Sequence, residues 1–424
     1  MTYIMVLDII KQQKLELERK LTEKYIPRES KFIEPDSDLI KVIIGPRRAG
    51  KSFFTIHSLK NKFNFGYANF DDERLIKVDD YDKIISAING VYNFPKVLFF
   101  DEIQNLKDWE LFVNRLQRTG YNLFLTGSNS KLLSGELAAH LTGRHTVINI
   151  FPFSFSEIIK SKGSDLPDSV IKGLFSNYMF TGGFPEIQIK NYDAVNYLST
   201  LIDNIVFKDI FRRYKIRSIS GIEDLALFLF SNISDIYSYR TLSELSLLSS
   251  DMTVRKYLRY FEEVYLFFTV NAFSFKMKEQ LKSGKKIFTI DNGFISAKSN
   301  SSSRDSGKLF ENLIAVYLKE LEIDKGWRIY YWRNNENYEV DFVIKDKTKI
   351  TTLIQVCYDI SNSKTKSREV RALLHCSREF NCDNAIVVTN DYSGEEVFEA
   401  GTKKVSIRFI PAYKFLSDNY SQRL

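Results

Sequence analysis

Between residues 40 and 150 the chain alternates two patterns. Short apolar runs at 40–44, 67–70, 97–100, 123–126 and 147–150 are each followed by a stretch with helical spacing of apolar side chains. Runs that are apolar at every position, not at alternate ones, predict strands buried on both faces. Strands of that kind separated by helices predict a parallel sheet with helices packed on both sides. Ahead of them, residues 3–24 form an amphipathic pattern with Ile4, Leu7, Ile10, Leu15 and Leu21 on its apolar stripe, which predicts a helix packed on the domain that follows.

Beyond Phe151 the pattern changes. Residues 155–270 carry helical periodicity and basic clusters, including Lys208, Arg212, Arg213, Lys215 and Arg217. Within them, 241–270 reads as a helix, a turn at 249–252, a second helix and a β-rich apolar stretch, which is a winged-helix layout. The Ser-rich segment 296–307 predicts a flexible connection. Strand patterns at 286–291, 328–332, 339–344, 352–358 and 385–389 surround helical ones at 309–321 and 364–379. No internal repeat of fixed period is present. The patterns divide the chain into 1–155, 156–285 and 286–424, a division that its length of 424 residues also favours.

Composition narrows the class. With 44% hydrophobic and 27% charged residues and only 8 Pro, the chain is globular throughout. A net charge of +7 permits a nucleic-acid partner without demanding one. Three cysteines at spacings that match no zinc pattern, and an opening without a signal peptide, point to a reducing cytoplasm. No run of about 18 uncharged apolar residues occurs, so no membrane partner is expected.

Candidate chemistry begins at Gly45. Gly45, Pro46, Arg47, Arg48, Ala49, Gly50, Lys51 and Ser52, followed by Phe53, match the P-loop pattern between an apolar run and a helical one. Glycines let the backbone amides and the helix N-terminus curl around phosphate. Lys51 is then expected on the β and γ phosphates of ATP, and Ser52 on Mg2+. The run at 97–100 ends in Asp101 and Glu102, where a buried strand opens onto a ligand crevice. Asp101 is expected to hold Mg2+, mostly through water, and Glu102 to act as general base on the attacking water. Ser128, after the next strand, is a candidate γ-phosphate sensor. Arg144 is a candidate phosphate-binding arginine, in its own or a neighbouring subunit's site.

These motifs, in this order, resemble the prokaryotic AAA+-type ATPases, abundant in archaea, that join a P-loop ATPase to a winged-helix region and a C-terminal restriction-endonuclease-like domain. The resemblance is carried by GPRRAGKS (45–52), NFDDERL (69–75), FFDEIQ (99–104), FLTGSNS (124–130), LTGRHTVINIFPFSFSE (141–157), GGFPE (182–186) and EVDFVI (339–344). It implies an α/β fold: an AAA+-like P-loop sheet, then a helical and winged-helix region, then an endonuclease-like α/β domain. It further implies that Arg144 is an arginine finger and that YIPRE (25–29) lies near the adenine.

Two further surfaces follow. Arg255, Lys256 and Arg259 on the second helix of the winged-helix layout, with Arg212, Arg213 and Lys215, are candidate DNA contacts. In the endonuclease-like order, Glu311 and Asp341 fill two acidic positions, but Gln355 and Cys357 stand where the pattern has an acid and a lysine. An amide brings no charge to a metal, and a neutral thiol does not replace an ammonium group. A degenerate, non-cleaving module is therefore expected, unless Lys364 or Lys366 supplies the missing ammonium. The sequence thus predicts an ATP- and Mg2+-dependent switch or motor acting on DNA or on a DNA-handling complex, with a homo-oligomer as a candidate assembly. The competing readings are a signalling ATPase without DNA binding and an active ATP-dependent nuclease.

Overall fold

The computed structural model describes residues 1–32, 34–128, 143–163, 165–214, 216, 219–246, 248, 250–299, 306–400 and 403–417. It groups the chain into two compact units, Met1–Pro152 with Glu263–Tyr265, and Phe153–Glu262 with Leu266–Leu424.

In the first unit the order is α1 (Tyr3–Thr22), β1 (Ile40–Ile44), α2 (Lys51–Leu59), β2 (Phe65–Asn69), α3 (Glu73–Ile76), α4 (Asp82–Tyr92), β3 (Val97–Asp101), α5 (Trp109–Arg118), β4 (Asn122–Gly127) and β5 (His145–Asn149). The five strands form one parallel sheet in the order β2-β3-β4-β1-β5. Every residue of β1 and β3 is buried, which is why their sequences do not alternate.

Helix α1 forms as expected but turns a different face inward. Val6, Ile9, Ile10, Gln13 and Leu17 are buried, whereas Ile4 and Leu15 are exposed. The buried polar residue explains the choice. Gln13 Nε2 donates to Asn69 O at 3.0 Å and Gln13 Oε1 accepts from Asn69 N at 2.9 Å, satisfying backbone groups on the sheet's edge strand.

The second unit begins with helices α6 (Phe155–Lys162), α7 (Asp168–Thr181), α8 (Pro185–Lys190) and α9 (Ala194–Asn204), the last running into a π-helical segment Ile205–Phe211. Then come α10 (Ser220–Ser231), β6 (Ile236–Tyr237), α11 (Tyr239–Leu245), α12 (Asp251–Glu263), β7 (Phe267–Ala272), α13 (Met277–Lys282), β8 (Lys285–Thr289) and α14 (Asn292–Lys298). The C-terminal portion is α15 (Ser306–Lys325), β9 (Arg328–Arg333), β10 (Glu339–Asp346), β11 (Lys349–Cys357), α16 (Ser363–Phe380), β12 (Ala385–Thr389), β13 (Gly394–Ala400), β14 (Lys403–Pro411) and α17 (Ala412–Ser417).

All its strands belong to one mixed sheet, β13-β14-β12-β11-β10-β9-β7-β8-β6. A division between 285 and 286 is therefore not seen: β7 pairs with β8 on one side and, in parallel, with β9 on the other, so the ladder runs across that boundary. The first division falls after Pro152, slightly before the expected 155. Of the Ser-rich segment, residues 300–305 lie outside the described residues.

The GGFPE segment has a packing reason. Gly182 has φ +70°, and a Cβ there would lie 1.7 Å from Asp291 Oδ1. The Asp291 carboxylate accepts from Gly183 N at 2.7 Å and from Gly293 N at 2.8 Å, tying α7 to the start of α14.

Candidate functional site

The phosphate loop follows β1 and opens α2. Gly45 has φ +147°, and a Cβ there would meet Ile150 O at 2.0 Å, so a larger residue would force the loop off β5. Arg48 has φ +67°, completing the curl that brings the loop to Lys51 at the start of α2. Lys51 is buried, and its Nζ donates to Gly45 O at 3.1 Å and Pro46 O at 2.8 Å, folded against the loop that it would leave to meet phosphate.

Arg28 braces this loop. Its guanidinium donates to Ala49 O at 3.0 Å and to the carbonyls of Phe151 and Pro152. It belongs to YIPRE, and Tyr25 of the same segment stacks on His57 with ring centroids 4.1 Å apart. His57 in turn lies beside Phe53.

Asp101, at the end of β3, is the hub of the acidic pair. Its Oδ1 accepts from Ser52 Oγ at 2.8 Å and from the Thr126 hydroxyl, and its Oδ2 accepts from Tyr67 OH at 3.1 Å. Thr126 reaches it from β4, the strand between β1 and β3, and also accepts from Glu102 N at 3.0 Å. Burial, joined by the adjacent Glu102, pushes the Asp101 carboxyl above its ordinary range despite the hydroxyls of Thr126 and Ser52 and the charge of Lys20.

Glu102 behaves oppositely. It has φ +52°, which turns it off the strand direction, and the Gln104 amide donates to its Oε2. Burial acts to raise its pKa, but the Lys51 charge, the Gln104 amide, Arg47 and the Ser128 hydroxyl together hold it below the ordinary value. The structure thus brings Lys51, Ser52, Asp101, Glu102 and Ser128 together. Facing Ser52 and Asp101 oxygens form a donor set that fits a small hard cation. Among the described residues no group of three or more His, Cys, Asp or Glu side chains forms a protein-only metal site.

Arg144 lies elsewhere. It precedes β5, and Ile40 N donates to its carbonyl at 3.0 Å, so it sits beside the first residue of β1. The phosphate loop leaves the other end of that strand, about 16 Å away at about 3.3 Å per residue. Its backbone therefore lies at the end of the sheet opposite the phosphate loop, and its side chain is exposed.

The basic clusters converge in part. Arg212 and Arg213 are exposed just after the π-helical segment, and Tyr214 stacks on Tyr260 of α12 at 3.6 Å between centroids. Lys256 lies over the Tyr260 ring, and Arg255 over Tyr239 at 4.3 Å. Arg259 is exposed on the same helix. Lys215 lies outside the described residues.

In the C-terminal sheet the acidic positions do meet, around a lysine that the motif did not name. Lys286 Nζ on β8 lies 2.9 Å from Glu311 Oε1, 2.7 Å from Glu339 Oε1 and 2.9 Å from Asp341 Oδ1. Burial works against its charge, but these carboxylates outweigh it and hold the ammonium far above the usual lysine range. Burial holds Glu311 in turn above the usual carboxylate range, with Asp341 and Glu339 adding to the effect against the pull of Lys286. Gln355 donates to Glu369 Oε2 at 2.7 Å, while the Cys357 thiol is pushed up to about 11 by burial. Lys366 does not supply the missing ammonium: it pairs with Glu396. Lys364 is exposed.

Residues 37–159 match an AAA domain family, 172–305 a domain of unknown function (DUF8612) and 306–412 another (DUF4143). With the loop and acid pair above, the first unit is a P-loop ATPase domain of AAA type, a fold that implies nucleotide binding. The chain is 33% identical over 416 residues to "Uncharacterized protein MJ1544" of Methanocaldococcus jannaschii, covering 92% of each, and belongs to the same family as that protein. An "Uncharacterized protein" of Haemophilus influenzae is 27% identical over 387 residues, 87% of this chain and 93% of the relative. Among solved structures, the Walker-type ATPase PABY2304 of Pyrococcus abyssi aligns with TM-score 0.42 and 14% identity, covering 65% of this chain and 98% of that one. No helix among the described residues is long and apolar enough to cross a membrane.

Proposed function

We propose that this protein is a magnesium-dependent ATPase of AAA+ type that works as an ATP-driven switch or motor on DNA or on a DNA-handling complex. The observation that carries the ATPase reading is the meeting of Ser52 with Asp101 at 2.8 Å beside a loop whose Lys51 is buried at its mouth. The loop amides and Lys51 bind the β and γ phosphates. Ser52 and Asp101 hold Mg2+, which when bound offsets phosphate charge. Glu102, held by Gln104 and Ser128 with its pKa below the ordinary value, is ionised and ready to take a proton from water. Ser128, in contact with Glu102, reports on the γ-phosphate.

Arg144 reaches the phosphates of a neighbouring copy, which makes the working form a homo-oligomer. DNA is met by α11, α12 and the following strands, read as a winged helix, with Arg255, Lys256, Arg259, Arg212 and Arg213 facing phosphate. The C-terminal portion is an endonuclease-like module that holds without cutting, because an ammonium stands among its carboxylates. Three free, buried cysteines suit the cytoplasm.

The test is ATP turnover measured with and without single-stranded, duplex and branched DNA. Stimulation by one form supports the DNA reading. A rate indifferent to all three, together with no salt-sensitive DNA binding, would favour a signalling ATPase that acts through protein contacts.

A further inference from the structure

Helix α16 carries a second basic surface that the winged-helix reading does not use. Lys364, Arg368, Arg371, His375 and Arg378 recur at intervals of three and four residues. At 3.6 residues per turn they fall within about 80° of arc and span about 21 Å of helix. The opposite face, with Val370, Leu373, Leu374 and Cys376, is buried in the C-terminal core. Solvated helix faces ordinarily intersperse acids with bases at these spacings. The helix has two acids: Glu369 is buried, accepting from Gln355 and pairing with Arg368, and Glu379 is exposed at the helix's end. Among the described residues Lys364, Arg371 and Arg378 have no ion-pair partner, and all three are exposed.

A cavity of about 250 Å³ opens at the first turns of this ridge, lined by Tyr338, Ser363, Lys364, Ser367, Arg368 and Arg371. Three cations, of which Arg368 also pairs with Glu369, and three hydroxyls form a lining in which every side chain can donate and none is a carboxylate, the chemistry of a phosphate site. Beyond it, Tyr338 stacks on His375 at 4.3 Å, an aromatic pair set within the ridge. The cavity borders the acidic centre through a chain of contacts: Arg368 donates to Glu369 Oε1, and Gln355 Nε2 donates to Glu369 Oε2 at 2.7 Å. Gln355 Oε1 in turn accepts from Asp341 N at 3.4 Å.

We propose that α16 is a nucleic-acid contact, in which the cavity takes one backbone phosphate and the ridge follows the phosphates next to it. A length of about 21 Å matches about six nucleotide rises of one strand at about 3.4 Å each. The strand lies along a centre that is occupied by Lys286, so it is held in place and left intact. This contact is separate from α12 and does not depend on ATP.

The test uses the full chain without nucleotide and labelled single-stranded DNA, duplex DNA and RNA, with binding followed by anisotropy over a range of salt. The variant K364A/R371A/R378A is expected to lose at least about tenfold in affinity for the preferred polymer, with a salt slope shallower by about two to three. K364R/R371K/R378K is expected to retain most of the affinity, since it keeps the charges. R255A/K256A/R259A should lose affinity independently, so that combining the two sets lowers it further. An unchanged affinity and slope in K364A/R371A/R378A would overturn the inference, as would no binding of any polymer by the natural chain. Displacement of bound nucleic acid from the natural chain by polyglutamate as readily as by unlabelled polymer would also overturn it, in favour of an acidic protein partner. None of these outcomes depends on ATP turnover, which is measured separately.

Discussion

Lys286 Nζ and Asp341 Oδ1 lie 2.9 Å apart in the interior of the mixed sheet, with Glu311 and Glu339 completing the shell around the same ammonium. A divalent ion would need the space that this nitrogen fills. The purified protein is therefore expected not to cleave linear, single-stranded or branched DNA with magnesium or manganese. Cleavage that disappears in Asp341→Ala would contradict this.

The same cluster makes a stability prediction. Lys286→Met leaves three carboxylates together without their counter-charge, and breaking a buried ion pair in this way costs about 3–5 kcal/mol. Chemical denaturation should show that loss near neutral pH. It should shrink as the pH falls, because the carboxyls can then carry protons in the folded state. A variant as stable as the natural chain at neutral pH would mean that the cluster is hydrated and contributes little.

Much of the first unit was legible in the sequence. Wholly apolar runs ending in GPRRAGKS and in Asp101–Glu102 specify strands buried on both faces and their open ends, and Ser128 lies against Glu102. What was not legible depends on single side chains reaching across the fold. Tyr67, Gln104 and Arg28 hold the site through one to three hydrogen bonds each and carry no periodic signal. Lys286 finds partners 25 and 55 residues away in sequence, whereas a local motif directed attention to 355–357. The stripe assigned to α1 failed because a buried Gln13 outweighed Ile4 and Leu15: pairing the sheet edge satisfies backbone groups that an apolar side chain cannot.

Arg144 tests the assembly. Mixing Arg144→Ala with Lys51→Ala subunits should recover some hydrolysis at composite sites, where one copy supplies the phosphate loop and the other the arginine. No recovery in assemblies shown to be mixed would argue for an arginine that acts within its own subunit, or for none at all.

Asp291 predicts a pH dependence of the second unit. Burial pushes its carboxyl up to about 7, against the pull of the Gly183 and Gly293 amides. The folded state therefore holds a proton that the unfolded chain releases near the ordinary carboxylate value. The stabilisation is complete below that value and is lost as pH rises through about 7. Relative to Asp291→Asn, the natural chain should lose melting temperature from pH 4 to 7 and run parallel above it. A constant difference across this range would show that Asp291 is ionised throughout.

The most direct test of the ATPase account compares ATP binding and turnover in the natural chain, Lys51→Ala and Glu102→Gln, each shown to be folded. Lys51→Ala should lose both, because it removes the main side-chain charge on the phosphates. Glu102→Gln should keep binding, since Ser52 and Asp101 remain paired, and lose turnover by about a hundredfold or more. Undiminished hydrolysis in Lys51→Ala, or equal losses of ATP affinity in the two variants, would contradict the account.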